Sequence, residues 1–142
     1  MPPIYKLRIR ERAANKEIFC VSRGIWVALT PEESVRQQFI RYLVTELGYD
    51  IGRISVEQSF TIDGGKMLRA DIVVYGADGK PFILVECKAS SVDLSSESFR
   101  QASKYNAYFK ANYVVLTNGN STLVLYTSDL INYNFEKSIP KL

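Results

Sequence analysis

Apolar residues recur at helical spacing in one early stretch of the chain. Every fourth residue there is hydrophobic, which is the spacing of a single buried helix face formed by Val35, Phe39, Leu43 and Leu47. Thr30 before this stretch is a good N-cap, Pro31 suits the first helical position, and Gly48 is placed to end the helix. The pattern predicts a core-facing helix of about 17 residues that begins after Thr30.

Short apolar runs bounded by turn residues predict strands on both sides of this helix. Residues 17–29 contain two such runs, joined near Ser22 and Arg23. Downstream, the patterns predict three strands, a second helix and two last strands, in the ranges 54–62, 67–75, 81–89, 97–111, 112–117 and 122–127.

The order of these elements indicates the fold class. From residue 31 on, a helix, three strands, a helix and two strands follow one another, and strands joined by tight turns form an antiparallel meander. We therefore predict an α/β fold in which a central mixed β-sheet with an antiparallel meander is flanked by helices on both faces. We expect a single domain of 142 residues, with a basic strand and hairpin over residues 1–29, a core over 30–127 and a C-terminal tail over 128–142.

The absence of histidine from the chain narrows the chemistry. It excludes Ser-His and Cys-His nucleophiles, and with only Cys20 and Cys87 available it also excludes a four-ligand zinc site. We expect the two cysteines to be small buried hydrophobic residues. Candidate chemistry is left to carboxylates, lysine, tyrosine and a metal bound through oxygen.

The apolar segments are too short to cross a membrane. Uninterrupted runs such as residues 82–85 are a few residues long, against roughly 20 for a membrane-spanning helix. The N-terminus MPPIYKLRIR also lacks the apolar core of a signal peptide. We therefore expect a cytoplasmic protein without a membrane partner.

The net charge of +3 lies entirely in the N-terminal arm. The arm carries Lys6, Arg8, Arg10 and Arg12 against Glu11, whereas the rest of the chain carries 14 basic and 14 acidic residues. If the arm is a strand, the alternation of side chains puts its four cations on one face. That face is either a row that binds the phosphates of a nucleic acid or a solvated edge strand whose charge prevents aggregation.

Two carboxylates and a lysine converge on one predicted hairpin. Asp78-Gly79 predicts a two-residue turn, and with that turn Asp71 lies directly opposite Glu86. A four-residue loop keeps the same pairing, whereas an odd-length loop shifts it by one residue and separates the carboxylates. Lys88 lies two residues beyond Glu86 and shares its face. The apolar residues expected on that face are Val73, Tyr75, Phe82 and Leu84.

These opposed carboxylates predict a metal site. Two carboxylates in an apolar strand pair repel each other and resist ionisation unless a cation lies between them. Magnesium needs only one or two protein carboxylates and leaves positions for water and phosphate. Asp71 and Glu86 therefore predict a site for Mg²⁺ or Mn²⁺, with Lys88 placed to orient a water that attacks a phosphodiester. The alternative is an ordinary ion pair of Lys88 with one of the carboxylates at a strand end.

The chain also resembles the PD-(D/E)XK nucleases, and within them the N-terminal nuclease domain of type I restriction enzyme R (HsdR) subunits. The resemblance rests on four stretches in the same order, TPEESVRQQFIRYLVTELGY, RADIVVYGADGKPFILVECKA, QASKY and VLTNG. It implies a restriction-endonuclease-like core and a metal-dependent DNA endonuclease that hydrolyses phosphodiester bonds. It also implies that Asp71 and Glu86 hold the metal with the backbone carbonyl of Cys87, and that Lys88 is the catalytic lysine.

Two further features of the resemblance have an alternative explanation. Gln101 and Tyr105 match a Gln-x-x-x-Tyr signature and share a helix face, from which they would steady Lys88 or the scissile strand. A helix that packs one tyrosine and exposes one glutamine explains them as well. A carboxylate of the first helix often joins such sites, for which we select Glu33, although its capping-box spacing from Thr30 explains it equally.

The chain departs from the family in two respects. Ala70 replaces the proline of the family's letter pattern, which removes no functional group. The chain also has no Gly-x-x-x-x-Gly-Lys-Ser/Thr phosphate loop, so ATP-driven translocation is not expected of it alone. Cutting both strands of DNA needs two sites, hence a homodimer or motor and specificity partner proteins. The competing function is a catalytically weak or inactive module that binds nucleic acid or a partner on the same fold.

Overall fold

The computed structural model describes residues 5–142, apart from the side chain of Phe60. Within that range the helices are α1 (Pro31–Thr45) and α2 (Ser96–Phe109). The strands are β1 (Ile9–Arg12), β2 (Asn15–Cys20), β3 (Ile25–Ala28), β4 (Ile54–Thr61), β5 (Met67–Tyr75), β6 (Pro81–Cys87), β7 (Tyr113–Thr117), β8 (Thr122–Tyr126) and β9 (Asn134–Glu136). Short 3-10 turns lie at Ile51–Arg53 and Asp63–Gly65.

Strands β4 to β9 form a six-stranded sheet in the order of the chain. Neighbouring strands in it are antiparallel except β6 and β7, which are parallel and are connected through α2. Strands β1, β2 and β3 form a separate antiparallel sheet. The predicted mixed sheet with an antiparallel meander is therefore confirmed.

The two helices cover opposite faces of the six-stranded sheet. Leu43 of α1 belongs to a buried cluster with Ile72 and Val85, whereas Phe109 of α2 packs in a cluster with Val73. Because successive residues of a strand point to opposite faces, these contacts place α1 on one face and α2 on the other. Neither helix in the described part of the chain is both long and apolar enough to span a bilayer.

Helix α1 begins where the sequence predicts. The Glu33 N–H donates to Thr30 Oγ1 at 3.1 Å, which satisfies one of the free amides of the first turn. The return half of a capping box is not formed, since the Thr30 N–H donates to the Ala28 carbonyl. The helix ends at Thr45, and Gly48 adopts a left-handed φ of 82° as the chain turns away.

The loop of the β5–β6 hairpin has an odd length, contrary to the prediction. The Gly76 N–H donates to the Lys80 carbonyl at 2.8 Å, which leaves three residues, 77–79, in the loop. Gly79 ends the loop at a φ of 78°, a conformation that favours glycine. An uncorrected loop of this length would separate the two carboxylates.

A β-bulge in β6 cancels this one-residue shift. Tyr75 pairs with Pro81, whereas Val74 pairs with Ile83, so Phe82 is an extra residue without a partner in β5. Beyond the bulge the pairing returns to the predicted register. The predicted register is therefore confirmed for residues 72–74 against 83–85, but a three-residue loop and a bulge produce it rather than a two-residue turn.

The bulge also changes the side of the sheet on which Phe82 lies. We expected Phe82 on the same face as Val73 and Leu84, and this was wrong. The Phe82 ring packs with the α1 cluster and against Tyr113, with ring centroids 5.3 Å apart. The extra residue breaks the alternation of side chains that the prediction assumed.

Both terminal segments pack on the core. Cys20 is buried in the α1 cluster, and Ser22 Oγ donates to the Ile54 carbonyl at 2.7 Å. Residues 128–142, expected to be a tail, add strand β9 to the sheet, which the sequence pattern did not predict. Ile139 is 3% exposed and joins the α1 cluster. The sheet is therefore completed by the last residues of the chain.

Candidate active site

Asp71 and Glu86 lie close together on β5 and β6, one residue beyond the last pair of the β5–β6 ladder. Ile72 pairs with Val85, and the same register leads to the two carboxylates. The Cys87 N–H donates to Asp71 Oδ2 at 2.8 Å, which joins the two strands beside the carboxylates. Cys87 is a buried free thiol, as predicted, and so is Cys20. The hairpin therefore brings both carboxylates and the Cys87 peptide together.

The Glu86 carboxyl group is buried without a full set of partners. Its Oε1 atom has no hydrogen-bond partner among the described residues. Burial, and next the neighbouring Asp71 charge, raise the pKa of Glu86 from its usual value near 4.5 to about 9, while Lys88 lowers it in part. The protonated form of Glu86, which also hydrogen-bonds Asp71, carries no charge into this buried position.

Lys88 follows β6 directly. Its N–H donates to the Thr117 carbonyl at 2.8 Å, so β7 fixes the backbone that carries it. The side chain is half-buried, and within residues 5–142 its ammonium makes no ion pair with Asp71 or Glu86. The lysine therefore acts on Glu86 through space, as its effect on the Glu86 pKa indicates. The ordinary ion pair that was the alternative is not formed.

Arg36 lies between the carboxylates of this site, and the sequence pattern did not identify it. The residue is 3% exposed, and its Nη2 atom is 2.7 Å from Asp71 Oδ1. Burial lowers the pKa of Arg36, but the hydrogen bond to Asp71 and the nearby carboxylates raise it above its ordinary value. A signal was present, because Ile40 and Leu43 follow Arg36 at spacings of four and seven residues on the buried helix face.

The carboxylate of Glu33 accepts hydrogen bonds from other side chains of the site. Its Oε1 atom accepts from Arg23 Nη2 at 2.8 Å and from Arg36 Nη1 at 2.7 Å. Its Oε2 atom accepts from Gln37 Nε2 at 3.0 Å. Glu33 thus meets the carboxylate pair only through Arg36, and its catalytic role stays a prediction. Its side chain is a counterion rather than the return half of a capping box.

Glu57 is a third carboxylate near Asp71 that the sequence pattern did not assign to the site. Its neighbours Val56 and Gln58 pair with β5, whereas Glu57 itself adopts a left-handed φ of 53°, which is rare outside glycine and is found at functional sites. Sequence alone did not place it, because its face depends on the length of the turn after β4. The cations within 4 Å of its carboxylate are Arg23, Arg36 and Arg69.

Gln101 and Tyr105 share a face of α2, as their spacing predicts. Tyr105 is partly buried against the Val73 cluster, and Gln101 is exposed. Neither side chain hydrogen-bonds Lys88 in the described part of the chain. Both line a groove of about 310 Å³ between α2 and the β4–β5 connection. The other residues that line it are Ile62, Lys66, Leu68, Lys104, Ala107 and Tyr108.

Within the N-terminal arm, residues 9–12 form the edge strand β1, which Lys6 and Arg8 precede, and Arg8 and Arg10 contact aromatic rings. The Arg8 guanidinium lies 4.8 Å from the Phe19 ring centroid, and that of Arg10 lies 4.2 Å from the Trp26 centroid. Arg10 also pairs with Glu17 at 2.9 Å. Arg8 and Arg10 therefore share a face, as the alternation of side chains predicts. Lys6 and Arg12 are exposed.

The donor set of the hairpin fits a divalent cation. No group of three or more acidic, cysteine or histidine side chains arranged to hold a metal occurs within residues 5–142. Magnesium, however, needs only one or two protein carboxylates, and Asp71 and Glu86 supply two. The unpaired Glu86 Oε1 is the atom that a cation would satisfy. The residues present therefore fit Mg²⁺ or Mn²⁺.

The solved structures to which the chain is similar include two proteins. The first is a fragment of a proposed HsdR subunit of a type I restriction enzyme from Vibrio vulnificus YJ016, with a TM-score of 0.60 and 20% identity. That match covers 80% of this chain and 24% of the solved one, so this chain spans about a quarter of its length. The second is a proposed nuclease of the DUF820 family from Anabaena variabilis ATCC 29413, with a TM-score of 0.47 and 11% identity, covering 91% of this chain and 80% of the other.

Comparison at the sequence level gives the family. No curated protein matches the chain. The model of the type I restriction enzyme R protein N terminus matches residues 31–140, which is most of the chain and includes every residue of the hairpin. The chain therefore belongs to the family of type I restriction enzyme R protein N-termini, with a restriction-endonuclease-like PD-(D/E)XK fold.

Proposed function

We propose that this chain is a metal-dependent DNA endonuclease whose active site is the β5–β6 hairpin. The observation that supports the proposal most is the buried, unpaired Glu86 Oε1 next to the Asp71 carboxylate. A folded protein keeps such an oxygen without a partner at a cost, which a bound cation would offset. Membership of the R-subunit family supports the same chemistry.

Each group of the hairpin has a role in this proposal. Asp71, Glu86 and the backbone carbonyl of Cys87 would hold Mg²⁺ or Mn²⁺. When bound, the cation would stabilise the negative charge that develops on the phosphodiester. Lys88 orients the attacking water and helps to neutralise that charge, and its backbone is fixed by the hydrogen bond to Thr117.

Two surfaces of the chain suit a nucleic-acid substrate. Lys66 and Lys104 also line the groove at Gln101 and Tyr105. In this proposal the two lysines bind phosphates of the nucleic acid, and a tyrosine ring of the groove stacks on a base. The exposed Lys6 and the Arg8 side chain over Phe19 extend the positive charge along the arm. Cutting both strands would require two such sites, supplied by a second copy of the chain or by motor and specificity partner proteins.

A second function is favoured by the charge balance of the site. With Glu86 protonated, the remaining charges compensate one another without a metal, and Asp71 already has a cation at 2.7 Å. A site of this kind is compatible with a weakly active or inactive module that binds DNA or a partner. The charges concerned are those of Arg23, Arg36, Lys88, Glu33, Glu57 and Asp71.

Cleavage assays distinguish the two functions. Wild type, Asp71→Ala and the control Asp63→Ala, an exposed aspartate of the β4–β5 connection, are incubated with supercoiled, linear and single-stranded DNA in Mg²⁺, Mn²⁺ or chelator. We expect cleavage that requires the metal, falls by roughly 100-fold or more in Asp71→Ala and is retained in Asp63→Ala. Cleavage in chelator, or undiminished cleavage by Asp71→Ala, would contradict the proposal. Binding of DNA without any cleavage would favour the module.

A further inference from the structure

Arg36 is a buried cation with four acidic partners. A guanidinium is kept in a protein interior only where hydrogen bonds and opposite charges compensate its lost hydration. The carboxylates that surround Arg36 are Asp71 and Glu33 at 2.7 Å, Glu57 at 3.1 Å and the half-exposed Glu32 at 3.3 Å.

The two terminal nitrogens of Arg36 divide these partners between them. Nη2 donates to Asp71 Oδ1, whereas Nη1 donates to Glu33 and lies within 3.1 Å of Glu57. The second oxygen of Asp71, Oδ2, accepts from the Cys87 N–H at 2.8 Å. Donors from α1 and from β6 therefore hold the two oxygens of Asp71, and together they fix the plane of this carboxylate.

The planar fork of the guanidinium is essential to this arrangement. Lysine carries the same charge, but its single ammonium cannot donate hydrogen bonds in the two fixed directions of the guanidinium nitrogens. Substitution of Arg36 by a neutral residue would remove both the hydrogen bonds that orient Asp71 and the positive charge. The buried carboxylates would then have no compensating cation. Arg36→Lys therefore removes the orienting hydrogen bonds and keeps the positive charge.

We propose that Arg36 is a positioning residue that fixes the orientation of the Asp71 carboxylate for the cation held by Asp71 and Glu86. The inference rests on the proposed function, since it takes the β5–β6 hairpin as a metal site. A purely structural ion pair would stabilise the fold without affecting the affinity for that cation. An arginine that competes with the metal for Asp71 would weaken metal binding, and its replacement would strengthen it.

Calorimetric titration with Mn²⁺ distinguishes these roles. We compare the full chain as wild type, Arg36→Lys and the control Arg100→Lys, which alters an exposed arginine paired with Glu97 on α2. We expect Arg36→Lys to remain folded and to bind Mn²⁺ roughly 10- to 100-fold more weakly, as when a group that orients a metal ligand is removed. Excess metal should restore part of its DNA cleavage. Arg100→Lys should match wild type.

Each other outcome of the titration has a defined meaning. Equal or tighter Mn²⁺ binding by folded Arg36→Lys overturns the inference and leaves the proposed metal site in place. Failure of the wild type to bind Mn²⁺ overturns both. If Arg36→Lys does not fold, nitrogen-15 spectra of the wild-type guanidinium decide the question. Slow rotation of the Arg36 group together with a changed Nη resonance on Mg²⁺ addition supports positioning. An unchanged resonance indicates a purely structural ion pair, and release of the group by Mg²⁺ indicates competition; either result overturns the inference.

Discussion

Asp71 Oδ2 accepts a hydrogen bond from the Cys87 N–H at 2.8 Å, which joins β5 to β6 beside the Glu86 carboxyl group. This relationship depends on Phe82, the extra residue that restores the register after the three-residue loop. The bulge therefore has a chemical consequence, because it brings the two carboxylates together in an apolar strand pair. The raised pKa of Glu86 follows from that placement.

The stability of the metal-free protein should fall as pH rises, because of Glu86. Its pKa is near 4.5 when exposed and about 9 in the fold, so the folded chain keeps a proton that the unfolded chain releases between these values. The stabilisation is fully present below pH 4.5 and is lost as pH rises through 9. We expect Glu86→Gln to melt higher than wild type at pH 8, by roughly 2–4 °C for each 1 kcal/mol gained.

Thermal melts in chelator at pH 5 and pH 8 test this expectation. The difference in melting temperature between the two pH values should be smaller in Glu86→Gln than in wild type. Glu97→Gln, which alters an exposed glutamate, serves as the matched control. An unchanged pH dependence in Glu86→Gln would show that another group dominates.

Adjacent glutamates at the start of α1 should differ greatly in their effect on stability. Glu33 has a 6% exposed side chain that pairs with Arg23 and Arg36, whereas the Glu32 side chain is 49% exposed. We expect Glu33→Ala to lower the free energy of unfolding by roughly 3–5 kcal/mol, because it leaves buried cations unpaired. Glu32→Ala should cost about 0.5 kcal/mol or less. Urea unfolding measures both, and similar losses would be incompatible with a buried counterion role for Glu33.

The arm should contribute to DNA binding through its exposed cations. We expect neutralisation of Lys6, Arg8 and Arg12 to flatten the slope of log affinity against log salt by about 0.9 for each phosphate that the arm no longer neutralises. Arg10 should contribute less, because it already pairs with Glu17 at 2.9 Å. Fluorescence of Trp26, the only tryptophan of the chain, reports on this surface directly.

The control for the arm neutralises exposed arginines on other elements, Arg41 of α1 and Arg53 after it. These changes should leave the salt slope as it is in wild type. If the arm variants also keep the wild-type slope, the cations protect an edge strand rather than bind phosphate.

Short sequence patterns correctly predicted the features that depend on residues close together in the chain. Thr30 caps α1 as expected, and the buried face of that helix follows its four-residue spacing. The continuous apolar run of residues 82–85 has no alternation that could reveal a bulge, so the loop length was wrong although the register was right. Strand β9 has three exposed residues and therefore no hydrophobic pattern to detect.

The charged part of the site was harder to predict, because it depends on contacts between distant segments. Arg23 comes from the β2–β3 turn, Arg36 from α1 and Glu57 from a left-handed position in β4. Arg23 and Glu57 look in the sequence like ordinary surface charges, whereas the position of Arg36 on the buried face of α1 is a signal that could have identified it. Asp71 and Glu86 were predictable because one short hairpin connects them.

Cleavage of supercoiled DNA by Lys88→Ala at saturating Mg²⁺ shows whether the β5–β6 hairpin is an active site. Lys80→Ala, which alters an exposed lysine at the loop of the same hairpin, is the control. We predict that Lys88→Ala lowers the cleavage rate by roughly 10²- to 10³-fold while the control keeps the wild-type rate. A cleavage rate in Lys88→Ala equal to that of wild type would contradict an active site on the β5–β6 hairpin.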